Sequence, residues 1–207
     1  VIILLSDHRV AAIPVHENHD PLVRLDPDFG PARALVRRPL ADKLVEARKD
    51  LPRGVRIRVR EGHRSPADQL RIIDQYARKL RAAHPGIDAD ELHRLTSRWV
   101  SPLEVAPHVA GAAVDLTLVD RHGQKLDLGT PIDATPEESD KACYFAADNI
   151  SFWARRNRDL LAAALGGVGL VNYPTEWWHW SYGDRYWALM TDAPAALYGP
   201  VDLPTAA

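Results

Sequence analysis

"AAVDLTL" at positions 112–118 decides the architecture. Val114, Leu116 and Leu118 fall on one face of an extended chain, and Asp115 and Thr117 fall on the other. That period of two marks a strand with one buried face. "VRIRVR" at 55–60 repeats the pattern, alternating Val55, Ile57 and Val59 with arginines. Directly after it, in "EGHRSP", Ser65 and Pro66 form an N-cap and first-turn pair. The helix they open carries Leu70, Ile73, Tyr76, Ala77 and Leu80 as its apolar stripe and stops before "HPG" at 84–86.

Working outward, an earlier helix is expected over about 31–50, ended by "LPRG", and a short one after Asp88, through Leu92 and Leu95. "RHGQ" at 121–124 reads as a hairpin turn. Thr135-Pro136-Glu137-Glu138 reads as a capping box opening a helical stretch. Helix resumes near 153–165 and "GGVG" at 166–169 stops it. Short strands at "LVN" and "EWWHWSY" follow. Helices and strands mix without a strict βαβα rhythm, and hairpin signals outnumber crossovers. The expected fold class is α+β, a single domain over 1–207 with a mostly antiparallel sheet flanked by helices.

Composition narrows the function. The 207 residues are 46% hydrophobic, enough for a sizeable core. A formal charge of −2 argues against a nucleic-acid or anionic-membrane partner. No apolar run approaches the roughly 18 residues of a membrane span. The opening "VIILLSD" is too short for a signal-peptide core and has no basic segment before it, although a chain that does not begin with Met leaves room for a removed leader. A single cysteine, Cys143, removes disulfide frameworks and Cys-rich zinc sites, so any metal must be held by nitrogen and oxygen. The expectation is a soluble, cytoplasmic protein; oligomeric state is not encoded in any pattern found.

A catalytic zinc takes three protein ligands from imidazole and carboxylate and keeps one open position. His108 and Asp115 supply one of each, with Gly111 between them allowing the backbone to bend. His179, in an aromatic strand, is the candidate third ligand. Glu176, three residues earlier, is placed to act as a general base without ligating the metal. In a strand such an i, i+3 pair faces opposite ways, so Glu176 must sit on a bend, which Pro174 would set. Composition and spacing leave two readings open, a metal centre or hydrogen-bonded structural histidines. His8, His16, His19, His84, His93 and His122 read as structural.

"HVAGAAVDLTL" followed by "EWWH" resembles the D-alanyl-D-alanine dipeptidases of the vancomycin-resistance type, zinc enzymes grouped with D,D-carboxypeptidases and certain endolysins. The resemblance runs over roughly residues 30–187: His-x6-Asp, then Glu-x-x-His, with a Gly-aromatic-Arg segment upstream. It implies one zinc ion per chain on His108, Asp115 and His179, and Glu176 as catalytic base. It also implies Arg64 facing the substrate carbonyl, Asp133 holding the ammonium of a small dipeptide, and a role in cell-wall peptide chemistry. Two departures stand out. His63 replaces the usual tyrosine, and Ala106 replaces a serine that contacts substrate two residues before the first ligand. A D,D-carboxypeptidase or endopeptidase, and a non-catalytic zinc domain binding cell-wall peptides, are the alternatives; a pure binder needs neither Glu176 nor Arg64.

Overall fold

Alternation of apolar and polar residues builds the sheet on which the rest is assembled. The computed structural model describes residues 2–202. Its elements in chain order are helix α1 (His8–Ala12), strands β1 (Leu22–Arg24) and β2 (Leu35–Arg37), helix α2 (Arg38–Ala47), strand β3 (Arg56–Glu61), helices α3 (Pro66–Ala83) and α4 (Ala89–Thr96), strand β4 (Ala113–Val119), helix α5 (Phe152–Gly167), strands β5 (Val171–Asn172) and β6 (His179–Ser181), and helix α6 (Arg185–Met190). The main sheet has the order β3-β4-β6-β5, and β1 pairs separately with β2. Every one of these pairings is antiparallel. The expected single-domain α+β class is the one observed.

Ile57 and Val59 of β3, Val114, Leu116 and Leu118 of β4 and Trp180 of β6 form one face of the sheet. They are buried with Leu40 and Leu44 of α2 and Leu161 and Leu165 of α5. Asp115, Thr117 and His179 take the opposite face, also buried. Beyond them is a cavity whose far wall includes Ile72 and Tyr76 of α3. The sheet thus has a dry apolar side and an enclosed polar side. Among the described residues no helix is long and apolar enough to cross a membrane.

A bulge in β3 joins the two sides. Val59 pairs with Leu116, but the next paired position joins Glu61 to Asp115, leaving Arg60 as the extra residue. In regular register Glu61 would share the core face with Val59. The inserted residue turns it to the polar face instead.

Ser65 caps α3 as its sequence requires, its side chain accepting from the Asp68 N–H, and Asp88 caps α4 in the same way. Three local expectations are corrected. Residues 35–37 are strand rather than helix, because β2 pairs with β1 before Pro39 opens α2. Leu70 is exposed and Gln69 is buried in its place. Thr135 and Glu138 do make the reciprocal capping bonds, yet residues 136–145 form successive turns, broken by left-handed Asp140 and Lys141.

Buried Arg158 of α5 ties that irregular segment down. Its guanidinium donates to the carbonyls of Leu128 (2.9 and 2.7 Å), Ala142 (2.7 Å) and Tyr144 (2.5 Å). Burial, with Arg155 adding to it, lowers its pKa to about 10. Arg158→Met keeps the bulk but orphans these buried acceptors, at a cost of about 3–5 kcal/mol. Urea unfolding should show that loss; a change under about 1 kcal/mol would contradict the anchoring role.

Candidate active site

The register of β4 against β6 pairs Asp115 directly with His179, so the two side chains leave the same face as neighbours. His108 reaches them from the turn that precedes β4. There the Gly111 N–H donates to the His108 carbonyl (3.0 Å) and the Ala112 N–H to that of Pro107 (3.0 Å). Gly111 has φ +66°, and a Cβ on it would lie 2.3 Å from Leu22 Cδ2, so a side chain there would strain the backbone and displace Leu22.

His108 Nε2 lies 3.1 Å from His179 Nδ1 and 3.2 Å from Asp115 Oδ1, and His179 Nδ1 lies 3.1 Å from the same carboxylate oxygen. Metal–nitrogen bonds of about 2.0–2.1 Å imply tetrahedral ligand edges of roughly 3.3 Å, so this spacing fits. The His108 Nδ1–H donates to the Gly62 carbonyl at 2.7 Å, which turns the Nε2 lone pair toward the other two donors. Gly62 is held close for this purpose, since a Cβ there would lie 2.4 Å from the Leu35 carbonyl oxygen. All three residues are buried. Burial pushes the Asp115 carboxyl up, but the two imidazoles outweigh it and keep the pKa below the usual carboxylate range. Two imidazole nitrogens and a carboxylate, converging in a dry place, suit a metal ion.

Glu176 stands beside this cluster and outside it. Its Oε2 is 3.8 Å from His179 Nδ1. β6 begins only at His179, and the preceding residues form turns, which resolves the conflict between strand geometry and i, i+3 spacing. The Glu176 N–H donates to the Tyr173 carbonyl (2.9 Å), and the Asn172 amide spans the turn by donating to the carbonyls of Glu176 and His179 (2.9 Å each). Burial first, then the neighbouring Asp115, raise the Glu176 pKa well above the usual range, with Arg64 opposing.

Arg64 occupies the strand-to-helix junction after β3. Its Nε and Nη2 donate to the two Glu61 oxygens at 2.7 Å each, and Nη1 donates to Gln69 Oε1 at 2.8 Å. Gln69 in turn donates to the Ser101 carbonyl at 2.7 Å. The amide orientation is set by its partners: arginine only donates and a carbonyl only accepts. Three of five guanidinium N–H donors are used, leaving one on each terminal nitrogen.

These groups line one cavity of about 290 Å³. Asp133, in a left-handed conformation (φ +69°), reaches it from the rim. The residue is exposed as a whole, yet burial of its carboxyl, then Asp115 and Glu61, raise its pKa. Glu61, Asp115, Asp133 and Glu176 face a single guanidinium, Arg64. Even with the largely exposed Lys79 ammonium counted, carboxylates outnumber cations four to two, so the cavity is short of positive charge, as a site for a cation or an ammonium would be.

His63 does not line the cavity; its Nε2 bonds the Val201 carbonyl at 2.8 Å. Ala106 is buried and likewise outside the lining. Sequence reasoning missed Glu61, Gln69, Asn172 and Tyr173. An acid three residues before Arg64 pointed to Glu61 as its ion-pair partner, though not to the face it takes, and Gln69 is the polar residue beside the apolar stripe. Nothing local pointed to Asn172 or Tyr173.

Fold and site together define an α+β protein with a buried His–Asp–His centre of metallohydrolase type. The Peptidase_M15 profile, described as D-ala-D-ala dipeptidase, matches residues 65–194, and the chain belongs to that family. It is similar to the D-alanyl-D-alanine dipeptidase of Synechocystis sp., 36% identical over 107 residues, covering 46% of this chain and 43% of that protein. It is also similar to the D-alanyl-D-alanine dipeptidase of Escherichia coli, 42% identical over 72 residues, covering 35% of each chain. The matched stretches thus span less than half the length of these curated relatives.

Elemental analysis after zinc loading should find one ion per wild-type chain and none after His108→Ala, Asp115→Ala or His179→Ala. His122→Ala, on the exposed turn after β4, should retain it. Full metal content in His179→Ala would refute the assignment.

Proposed function

We propose that this chain is a zinc-dependent dipeptidase acting on D-Ala-D-Ala or a similar short D-amino-acid dipeptide. The observation that carries this reading is the acidic cavity, in which a three-donor cluster suited to a metal, a non-ligating glutamate and a fixed arginine meet. His108, Asp115 and His179 would hold the zinc. Once bound, the zinc would acidify a water molecule and polarise the scissile carbonyl.

The chain's own residues account for the rest. Glu176 takes a proton from the attacking water and delivers it to the departing amine nitrogen. One C–O bond forms, the C–N bond breaks, and two amino acids leave. A raised pKa suits a carboxylate that must both accept and return a proton. The spare N–H groups of Arg64 donate to the carbonyl oxygen as negative charge develops on it. Glu61 and Gln69 fix the guanidinium beforehand, so little reorganisation is needed. Asp133 pairs with the substrate ammonium, which restricts the site to peptides with a free N-terminus.

Glu176→Gln preserves shape and removes the proton carrier. Zinc content and dipeptide binding should persist while turnover is lost almost completely. Turnover near the wild-type rate would place the base elsewhere. N-acetyl-D-Ala-D-Ala should resist the wild type, and efficient release of D-Ala from a pentapeptide would favour a carboxypeptidase instead.

Arg64→Ala should lower kcat by about 10²–10³-fold with zinc still bound. Lysine should restore only part of it, since a point charge lacks the planar fork. A near-normal kcat in the alanine variant would remove Arg64 from the chemistry.

A further inference from the structure

The cavity has a second half that the chemistry does not use. Ile72 and Tyr76 of α3, with Trp99 and Val100 beyond α4, form an apolar wall facing the polar cluster. The Tyr76 and Trp99 rings lie 4.8 Å apart between centroids, tilted by 52°. Both polar tips are already engaged. The Tyr76 hydroxyl donates to Glu137 Oε2 at 2.6 Å, and the Trp99 indole N–H donates to the Asp133 carbonyl at 3.2 Å. What the two rings leave for a ligand is ring carbon, and Ile72 and Val100 add aliphatic surface; the side chains of Gln75 and Lys79, at exposed positions of α3, line the same side.

This wall adjoins Asp133, since Trp99 is bonded to its backbone. In a dipeptide the side chain nearest the ammonium belongs to the N-terminal residue. A ligand whose ammonium pairs with Asp133 therefore directs that side chain at the wall, while the C-terminal side chain lies beyond the scissile bond. The cavity volume, about 290 Å³, approaches the lower end (roughly 300 Å³) of pockets that enclose drug-sized ligands. An alanine methyl leaves the aromatic pair largely uncovered, whereas a phenyl or isobutyl group would bury it.

Resting on the dipeptidase reading, we propose that the preferred substrate carries a large apolar side chain, aromatic or branched, on its N-terminal residue. Trp99 and Tyr76 are the residues that select it.

The zinc-loaded protein is assayed against D-Ala-D-Ala, D-Phe-D-Ala, D-Leu-D-Ala and D-Ala-D-Phe, with the L,L counterparts beside them. D-Phe-D-Ala and D-Leu-D-Ala should exceed D-Ala-D-Ala in kcat/KM by about tenfold or more, the scale of filling an apolar pocket. Trp99→Ala should flatten that ratio. Ile72→Trp, which fills the space from a partly exposed helix position, should reverse it. A preference for D-Ala-D-Ala over both bulky N-terminal substrates, or a gain confined to D-Ala-D-Phe, overturns the proposal. If nothing is hydrolysed, the dipeptidase reading fails by itself. Calorimetry of D-Phe-D-Ala and D-Ala-D-Ala then still decides the wall, which requires the former to bind about tenfold tighter.

Discussion

One strand register carries the site. Asp115 on β4 and His179 on β6 are direct cross-strand partners, and their pairing places a carboxylate and an imidazole side by side beneath the cavity. A slip of β6 by a single residue would send His179 into the apolar core and bring Trp180 to the polar side, parting the pair. The same register seats Leu116, Leu118 and Trp180 against α2 and α5. Core burial therefore pins the spacing of the charged cluster, and a mistake in either would be costly to both.

A buried carboxylate is tolerated only when something pairs with it. Asp115 has two imidazoles, and Glu61 has the fork of Arg64. Glu176 has only the His179 imidazole at 3.8 Å, already shared with Asp115, and both Glu176 and Asp133 are pushed toward their protonated forms. These two are the groups proposed to carry the proton and to pair with the ammonium. Glu61 is satisfied within the protein, whereas the acids proposed to meet substrate keep part of their pairing capacity free.

The sequence made much of this legible where local pattern and tertiary outcome agree. β3 and β4 follow from alternation, and the starts of α3 and α4 follow from Ser65 and Asp88. The histidines and aspartate singled out for a metal do converge. What escaped depended on distant partners. Residues 35–37 became strand because 22–24 lie alongside them. Gln69 displaced Leu70 from the interior because Arg64 and Ser101 needed its amide. Glu61 could not be assigned to the polar face, because plain alternation puts it with Val59; only the bulge reverses it. Thr135 forms its cap, but the helix it announces never propagates past Asp140.

The bulge has a second effect, on how copies of the chain meet. β3 is an edge strand of the main sheet, and a long flat edge invites pairing with another molecule. Here the edge is broken by the extra Arg60, and Arg56 and Arg60 are exposed along it. A strand from a second chain would meet a local kink and two exposed arginines instead of a continuous ladder. The irregularity that delivers Glu61 to the cavity thereby also discourages aggregation through this edge.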